Sequence, residues 1–470
     1  MKKNILRDVF YSLSCNTTVM IISVIMALFL PKFLSLKEYG MWQLFLFYFS
    51  YVGFLQFGLE DGIYLRYAGI SYADLDKSMI YGQSIFIFIM QLLLSALMLI
   101  LTKNFIMDAS VCSIFQMLSI VIVLANMNNL FSFIFQMTSR IKDYAHIASL
   151  EPIAFLIAAI FVLVLGRCNA YNLIFCKILS LSLSCCLSIF ILRDIWHYKL
   201  PDISNVLSEA WANISVGSKL MLANIASMLV IGVVRYGISR GWDVIVFGKV
   251  SLTLSISNFL LVFINAISVV LLPTIRHVDE QKRIALYDTI RILLTTAMMI
   301  LLILYYPIYI ILELWLPQYA DTLQYMAILF PICLTESRMS LLINTYLKAM
   351  RQEKMMLHVN FASVIFSACI TYICVVTLHN LLFCIFSIVL IFAFKAYWAE
   401  WNLCRIMHER FIFNMLSEIA MLSTFIFTSW GIGGIRGFFG YLLFLTVYLL
   451  VQKKQIHRAY CNLFHRQSAH

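Results

Sequence analysis

Apolar runs of helix-spanning length follow one another almost without pause from Val9 to Val451. A bilayer core about 30 Å thick is crossed by about 20 apolar residues in helical form. Such runs recur at Val9–Leu30, Met41–Leu59, Met79–Leu101, Val111–Phe135, Ile147–Gly166, Tyr171–Leu192 and Gly217–Ile238. They continue at Val244–Leu272, Ile290–Leu312, Thr322–Leu347, Leu357–Thr377, Leu381–Ala399, Phe411–Trp430 and Phe438–Val451. Hydrophobic residues make up 62% of the chain and charged ones only 12%, so one soluble core cannot hide this surface. The runs are continuous rather than alternating, which excludes the every-second-residue pattern of a membrane β-barrel. The expected fold is all-α and polytopic, with about fourteen transmembrane helices.

Lysine and arginine orient these spans, because cytoplasmic loops carry the excess of positive charge. With the N-terminus inside, twenty-two Lys and Arg fall in inner segments, among them Lys2, Lys3, Arg7, Arg66, Arg140, Arg276, Arg291, Arg410 and Lys453. The outer connectors hold six: Lys32, Lys37, Lys103, Arg167, Arg240 and Arg436. Both termini are therefore expected in the cytoplasm. The net charge of +11 is a topogenic signal and gives no reason to expect a nucleic-acid partner. The basic tail after Val451 adds contacts with anionic membrane lipids. Lys2, Lys3 and Arg7 before an apolar run also fit a signal peptide. Pro31-Lys32-Phe33 follows in place of a small-x-small cleavage site, so this run is read as the first span.

The longest polar connector, Arg193–Ser215, parts twelve spans into six and six. Within it Ile203, Val206, Leu207, Ala210, Trp211 and Ile214 form one helical stripe, and Asp202 after Pro201 stands where a cap is wanted. This predicts a helix lying on the inner membrane surface. The domain plan is a six-helix lobe at residues 1–192, the linker helix at 193–216, a second six-helix lobe at 217–405, and two extra helices with a basic tail at 406–470. Asn16 matches Asn224 and Tyr39-Gly40 matches Phe247-Gly248 in the first hairpin of each lobe. The basic loop Ser139–Asp143 matches Met350–Lys354. Six is an even number, so the lobes enter the membrane the same way round, as a parallel repeat enclosing a cavity open alternately to either side.

Lys37-Glu38-Tyr39-Gly40-Met41-Trp42 opens the second span, and Phe57-Gly58-Leu59-Glu60-Asp61-Gly62-Ile63-Tyr64-Leu65-Arg66-Tyr67 closes it. With these segments, the six-plus-six lobes and two further spans, the chain resembles the polysaccharide-biosynthesis flippases. These O-antigen and capsule (Wzx-type) flippases belong to the multidrug/oligosaccharidyl-lipid/polysaccharide exporter superfamily. The resemblance implies a bacterial inner-membrane carrier that moves an undecaprenyl-diphosphate-linked oligosaccharide outward by alternating access. It also implies a polymerase and chain-length machinery as partners. No cofactor is expected, and coupling to a proton or sodium gradient would supply the energy.

A diphosphate cargo calls for fixed cations, and charges inside spans cost about 2.5–3.5 kcal/mol each unless they face water or a partner. The candidates for the cavity are Arg235, Lys249, Arg338, Glu336 and Lys177. Lys219 and Lys395 lie near inner helix ends and read as anchors, and Glu151 and Glu418 complete the intramembrane acids. Glu336 and Arg338 are two positions apart and do not share a helix face. Pro331 is expected to kink their helix. Tyr39 and Gly40 are read as the turn into the second span. Glu60, Asp61 and Arg66 stand at its far end, where Asp61 of the Asp61-Gly62 turn pair is read as a cap and Arg66 as a contact to lipid phosphate. Twelve cysteines, none in a C-x-x-C pair, read as small apolar residues without a metal site. No G-x-x-x-x-G-K-[ST], H-E-x-x-H or G-x-S-x-G occurs, so the chain neither burns ATP nor shows a catalytic motif. A membrane-embedded polymerase would need a large outer loop, and every outer connector is short. A multidrug exporter of the same superfamily remains the other reading.

Overall fold

The computed structural model of the 470-residue chain describes residues 2–106, 108–258, 280–407 and 412–464. Among the described residues every regular element is a helix, and twelve helices are long and apolar enough to cross a membrane. The remaining two predicted spans are the second, which is broken, and the eighth, where the apolar helix Val244–Ser257 ends short of the undescribed residues. The second half of that span, Arg276, Arg410, the start of the thirteenth span at Phe411 and the end of the basic tail lie outside the described residues. The chain divides into two compact units, Met1–Ile225 and Ala226–His470.

The first unit holds α1 (Lys2–Phe33), α2 (Leu36–Phe49), α3 (Leu59–Tyr67), α4 (Lys77–Phe105), α5 (Ala109–Met137), α6 (Ile141–Val164) and α7 (Ala170–Ile191). It also holds the first part of α8 (Ile203–Gly241). Side-chain caps start α2, α4, α5 and α7. Asp76 accepts from the Met79 N–H at 3.0 Å, Asp108 from Ser110 at 2.8 Å, and Asn169 from Asn172 at 2.8 Å. Helix α5 is the core of this unit. It packs on α3, α4 and α7, and Leu130, Phe131, Ile134 and Phe135 are buried. Leu93, Ile157 and Phe161, by contrast, are more than half exposed, as lipid-facing residues of a membrane protein are.

The second unit continues α8 and adds α9 (Val244–Ser257), then α10 (Glu280–Leu301), which passes through a tight turn at Leu302–Leu304 into Tyr305–Trp315. Next come α11 (Met326–Ala349), α12 (Glu353–Tyr372), α13 (Leu381–Met407), α14 (Ile412–Ile426) and α15 (Gly434–Phe464). Helix α11 is the most deeply buried helix described in this unit, with Leu329, Phe330, Leu334, Leu342 and Ile343 buried along it. Pro331 tightens it, with the Cys333 and Leu334 N–H groups reaching back three residues at 3.1 and 3.0 Å. A wide π-helical turn at Arg338–Ile343 follows.

The two basic loops matched in sequence share a backbone conformation. After α5, Ser139 takes φ 56°, and the Arg140 N–H closes on the Phe135 carbonyl at 2.8 Å. After α11, Arg351 takes φ 56°, and the Gln352 N–H closes on the Leu347 carbonyl at 2.8 Å. The same helix-ending motif thus stands at both basic loops.

Two expectations change here. The turn into the second span is made by Ser35, whose side chain accepts from the Glu38 N–H at 3.3 Å. Tyr39 and Gly40 lie inside α2 and are buried, because a capped helix has begun before them. The second span itself is not one helix. It runs as α2, then a 3₁₀ segment at Val52–Gln56, then α3, parted by left-handed residues Phe57 (φ 56°) and Gly58 (φ 85°). The linker segment from Ile203 is helical and continues into the seventh span as one 39-residue helix. Its Val206, Ala210 and Asn213 are buried, while Ile203 and Trp211 stay exposed.

Candidate substrate cavity

The break in the second span shapes the polar interior of the first unit. Backbone groups freed by a broken helix must find partners inside a membrane protein. Asn126 of α5 donates to the Val52 carbonyl at 3.3 Å and to the Gln91 carboxamide oxygen at 2.7 Å. Gln91 in turn donates to the Leu55 carbonyl at 3.1 Å. Beside this break lies a cavity of about 370 Å³ walled by Ser50, Gly53, Asn128, Asn129, Ser132, Ser184, Glu151 and Lys177, with Phe49 at one side. Ala125, Asn128, Asn129 and Ser132 recur at i, i+3, i+4 and i+7 of α5, so one helix face supplies a polar wall.

Lys177 Nζ stands 2.5 Å from Glu151 Oε1, linking α7 to α6. Both side chains are largely buried, and the ammonium lies 5.1 Å from the Phe49 ring and 5.6 Å from the Phe155 ring. Of the predicted cavity cations, Lys177 is therefore placed against a polar cavity. Arg235 donates to Ser251 Oγ at 3.1 Å and lies 5.4 Å from the Phe247 ring. Lys249 projects from a different face of α9 and meets Asp321 at 2.6 Å.

Arg338 and Glu336 diverge, as their spacing requires. Glu336 faces Lys395 at 3.6 Å, so Lys395 is a buried partner in place of an anchor in the headgroups. Arg338 is fully buried with Arg291, Glu400 and Glu418, which lie on α11, α10, α13 and α14 respectively. Arg291 meets Glu400 at 2.5 Å and Glu418 at 3.0 Å, and Arg338 meets Glu400 at 2.9 Å and also bonds Glu418. The Tyr287 hydroxyl donates to Glu400 at 2.9 Å. Two cations and two anions close an electrically neutral ring, which is how charges survive burial. Arg291 had read as a loop charge and Glu400 lay just past a predicted span. Their place at helix ends, with opposite charge, is the one signal the sequence carries.

Glu60 and Asp61 stand in the first turn of α3, where acids suit the helix dipole. Gln56 ties them in, accepting from the Glu60 N–H at 2.7 Å and donating to Asp61 at 2.8 Å. Arg66 does not reach for lipid. It pairs with Glu209 at 2.6 Å and Asn213 at 2.5 Å, and the Tyr67 hydroxyl donates to Glu209 at 2.7 Å. A protein carboxylate of α8 takes the place expected for phosphate. Outside the spans, burial pushes the Asp194 carboxyl upward, yet hydrogen bonds from Lys77 and Tyr72 hold it below the ordinary carboxylate range. Burial and the same carboxylate raise the Tyr72 hydroxyl well above its ordinary value. Among the described residues no three His, Cys, Asp or Glu are grouped as a metal site would need.

The sequence matches no protein-family model and no curated protein. Solved structures do match in fold. The lipid II flippase MurJ in an inward closed conformation superposes with a TM-score of 0.61 at 14% identity, covering 94% of this chain and 99% of that one. An inward-facing multidrug resistance MATE family transporter of the MOP superfamily superposes with a TM-score of 0.60 at 13% identity, covering 88% and 99%. Both neighbours are transporters or flippases and neither is an enzyme. The chain is a polytopic helical membrane protein with the fold of the MOP superfamily transporters.

Proposed function

We propose that this protein is a flippase that carries an undecaprenyl-diphosphate-linked oligosaccharide across the bacterial inner membrane for surface polysaccharide synthesis. Both termini lie in the cytoplasm in this reading, as the charge asymmetry of the loops requires. The observation that carries it is Lys177, paired with Glu151, on the wall of a cavity whose other polar residues are Asn and Ser, amid lipid-facing spans. A diphosphate entering a low-dielectric space loses hydration, and a fixed ammonium with neutral donors compensates. Sugar hydroxyls find acceptors and donors on the same Asn and Ser side chains.

A second, apolar cavity of about 550 Å³ in the second unit is lined by Tyr305, Tyr306, Tyr309, Trp430 and Phe438. Its chemistry suits a polyprenyl chain. The MATE likeness and this aromatic wall also favour a second reading, export of a lipophilic drug. Deletion of the gene separates the two. A flippase deletion abolishes polymerised surface glycan while lipid-linked repeat units accumulate on the cytoplasmic leaflet. Unchanged glycan together with drug hypersensitivity would replace this reading by the exporter. Energy from a proton or sodium gradient belongs to the proposal, and collapse of export by the matching ionophore tests it. Partnership with a polymerase and chain-length machinery follows from the same reading, and co-purification from cross-linked membranes tests it.

A further inference from the structure

We infer that Glu151 is a built-in competitor for the anionic head group of the cargo, holding the place on Lys177 that a phosphate oxygen takes during transport. This rests on Lys177 being the cation that receives that head group.

Among the described residues lining the cavity of the first unit, Lys177 is the one cation and Glu151 the one anion. Their 2.5 Å contact leaves the unloaded site neutral. The other polar walls, Ser50, Asn128, Asn129, Ser132 and Ser184, bring dipoles without charge. A carboxylate oxygen and a phosphate oxygen are both acceptor-only groups that want the same ammonium protons. At this depth, where Glu151 and Lys177 side chains are 19% and 14% exposed, mutual repulsion of two anions on one ammonium is weakly screened. The head group therefore binds by displacing Glu151. The Ser180 hydroxyl, which donates to the Lys177 carbonyl at 2.9 Å, lies 3.4 Å from Glu151 Oε1 and is a neutral donor able to turn to the displaced carboxylate. Return of Glu151 to Lys177 then helps expel the head group, so one carboxylate weakens binding and hastens release.

The test uses the full-length protein in nanodiscs, with farnesyl diphosphate as probe and farnesol as the control lacking phosphate. Glu151→Gln keeps the side-chain shape and removes the competing charge. It is expected to bind farnesyl diphosphate about tenfold more tightly, the scale of one charge-assisted hydrogen bond. Farnesol affinity stays unchanged. Lys177→Met weakens farnesyl diphosphate about tenfold or more, and the double variant regains part of that loss, because the unpaired Glu151 carboxylate no longer repels the probe, while staying weaker than Glu151→Gln alone. Glu151→Asp retracts the carboxylate and gives an intermediate gain, which serves if Glu151→Gln folds poorly. A purely structural ion pair would make Glu151→Gln bind equally or more weakly. That result, with Lys177→Met still weakened, overturns the competitor while leaving the cavity reading intact. Unchanged binding in Lys177→Met overturns both.

Discussion

At the scale of single residues, charges inside the spans are resolved by what each one touches. Lys177 shares a polar cavity with Glu151, whereas Lys249 is held by Asp321, whose side chain is 67% exposed. Under the proposed function, Lys177→Ala is expected to cut glycan export by at least about tenfold, the cost of truncating one member of a desolvated charge pair. Arg235→Ala and Lys249→Ala are expected to lower export less, at matched protein level. Export assays on the three variants check the order. Glu400 answers a different question. It sits at 0% exposure between Arg291 and Arg338, so Glu400→Gln leaves two buried guanidinium groups with one carboxylate. A loss of about 3–5 kcal/mol follows, to be read as a sharp fall in detergent-solubilised melting temperature.

At the scale of elements, the meeting of α3 with α8 depends on missing side chains. A Cβ on Gly217 would lie 1.9 Å from the Gly58 carbonyl oxygen, and one on Gly62 would lie 2.0 Å from the Asn213 carbonyl oxygen. The two backbones touch, and Arg66 and Tyr67 clasp Glu209 beside the crossing. Gly217→Ala must push whole helices apart, so a cost of about 1–3 kcal/mol is expected. Gly53→Ala, whose Cβ meets only the Asn129 amide at 3.6 Å, should be mild by the same thermal unfolding measurement. The connector after α7 is fastened electrostatically through Asp194 to Lys77 and Tyr72. Because the Asp194 carboxyl is depressed, its contribution is present above the ordinary carboxylate pKa of about 3.9 and fades as pH falls through its folded value. Asp194→Asn should be less stable than the parent near neutrality, and the two should converge in acid. The difference is small, since this side chain is 43% exposed.

At the scale of the whole molecule, the prediction is topology. Cysteine probes at Leu36 and Gln318, in a background lacking reactive native thiols, should be labelled from outside intact cells, and a probe at Ser208 should not. Labelling at Ser208 would reverse the orientation. The membrane class, the helical fold and the near count of spans were legible in the order of residues alone. Apolar length and the placement of Lys and Arg are one-dimensional properties, and the bilayer reads them directly. The repeated basic loop was legible too, and Ser139 and Arg351 share its left-handed turn. What only tertiary structure decided is which charges meet. Arg291 joins Glu400 across 109 positions, and Arg66 joins Glu209 across 143. Residues so far apart in the chain carry no mutual spacing signal. The break after Phe49 was hidden for a related reason. An apolar run looks continuous, and the Val52 and Leu55 carbonyls freed before the left-handed turn at Phe57-Gly58 are satisfied by Asn126 and Gln91 from other helices. Helical periodicity follows from neighbours along the chain, whereas the pairing of buried charge and freed backbone follows from neighbours in space.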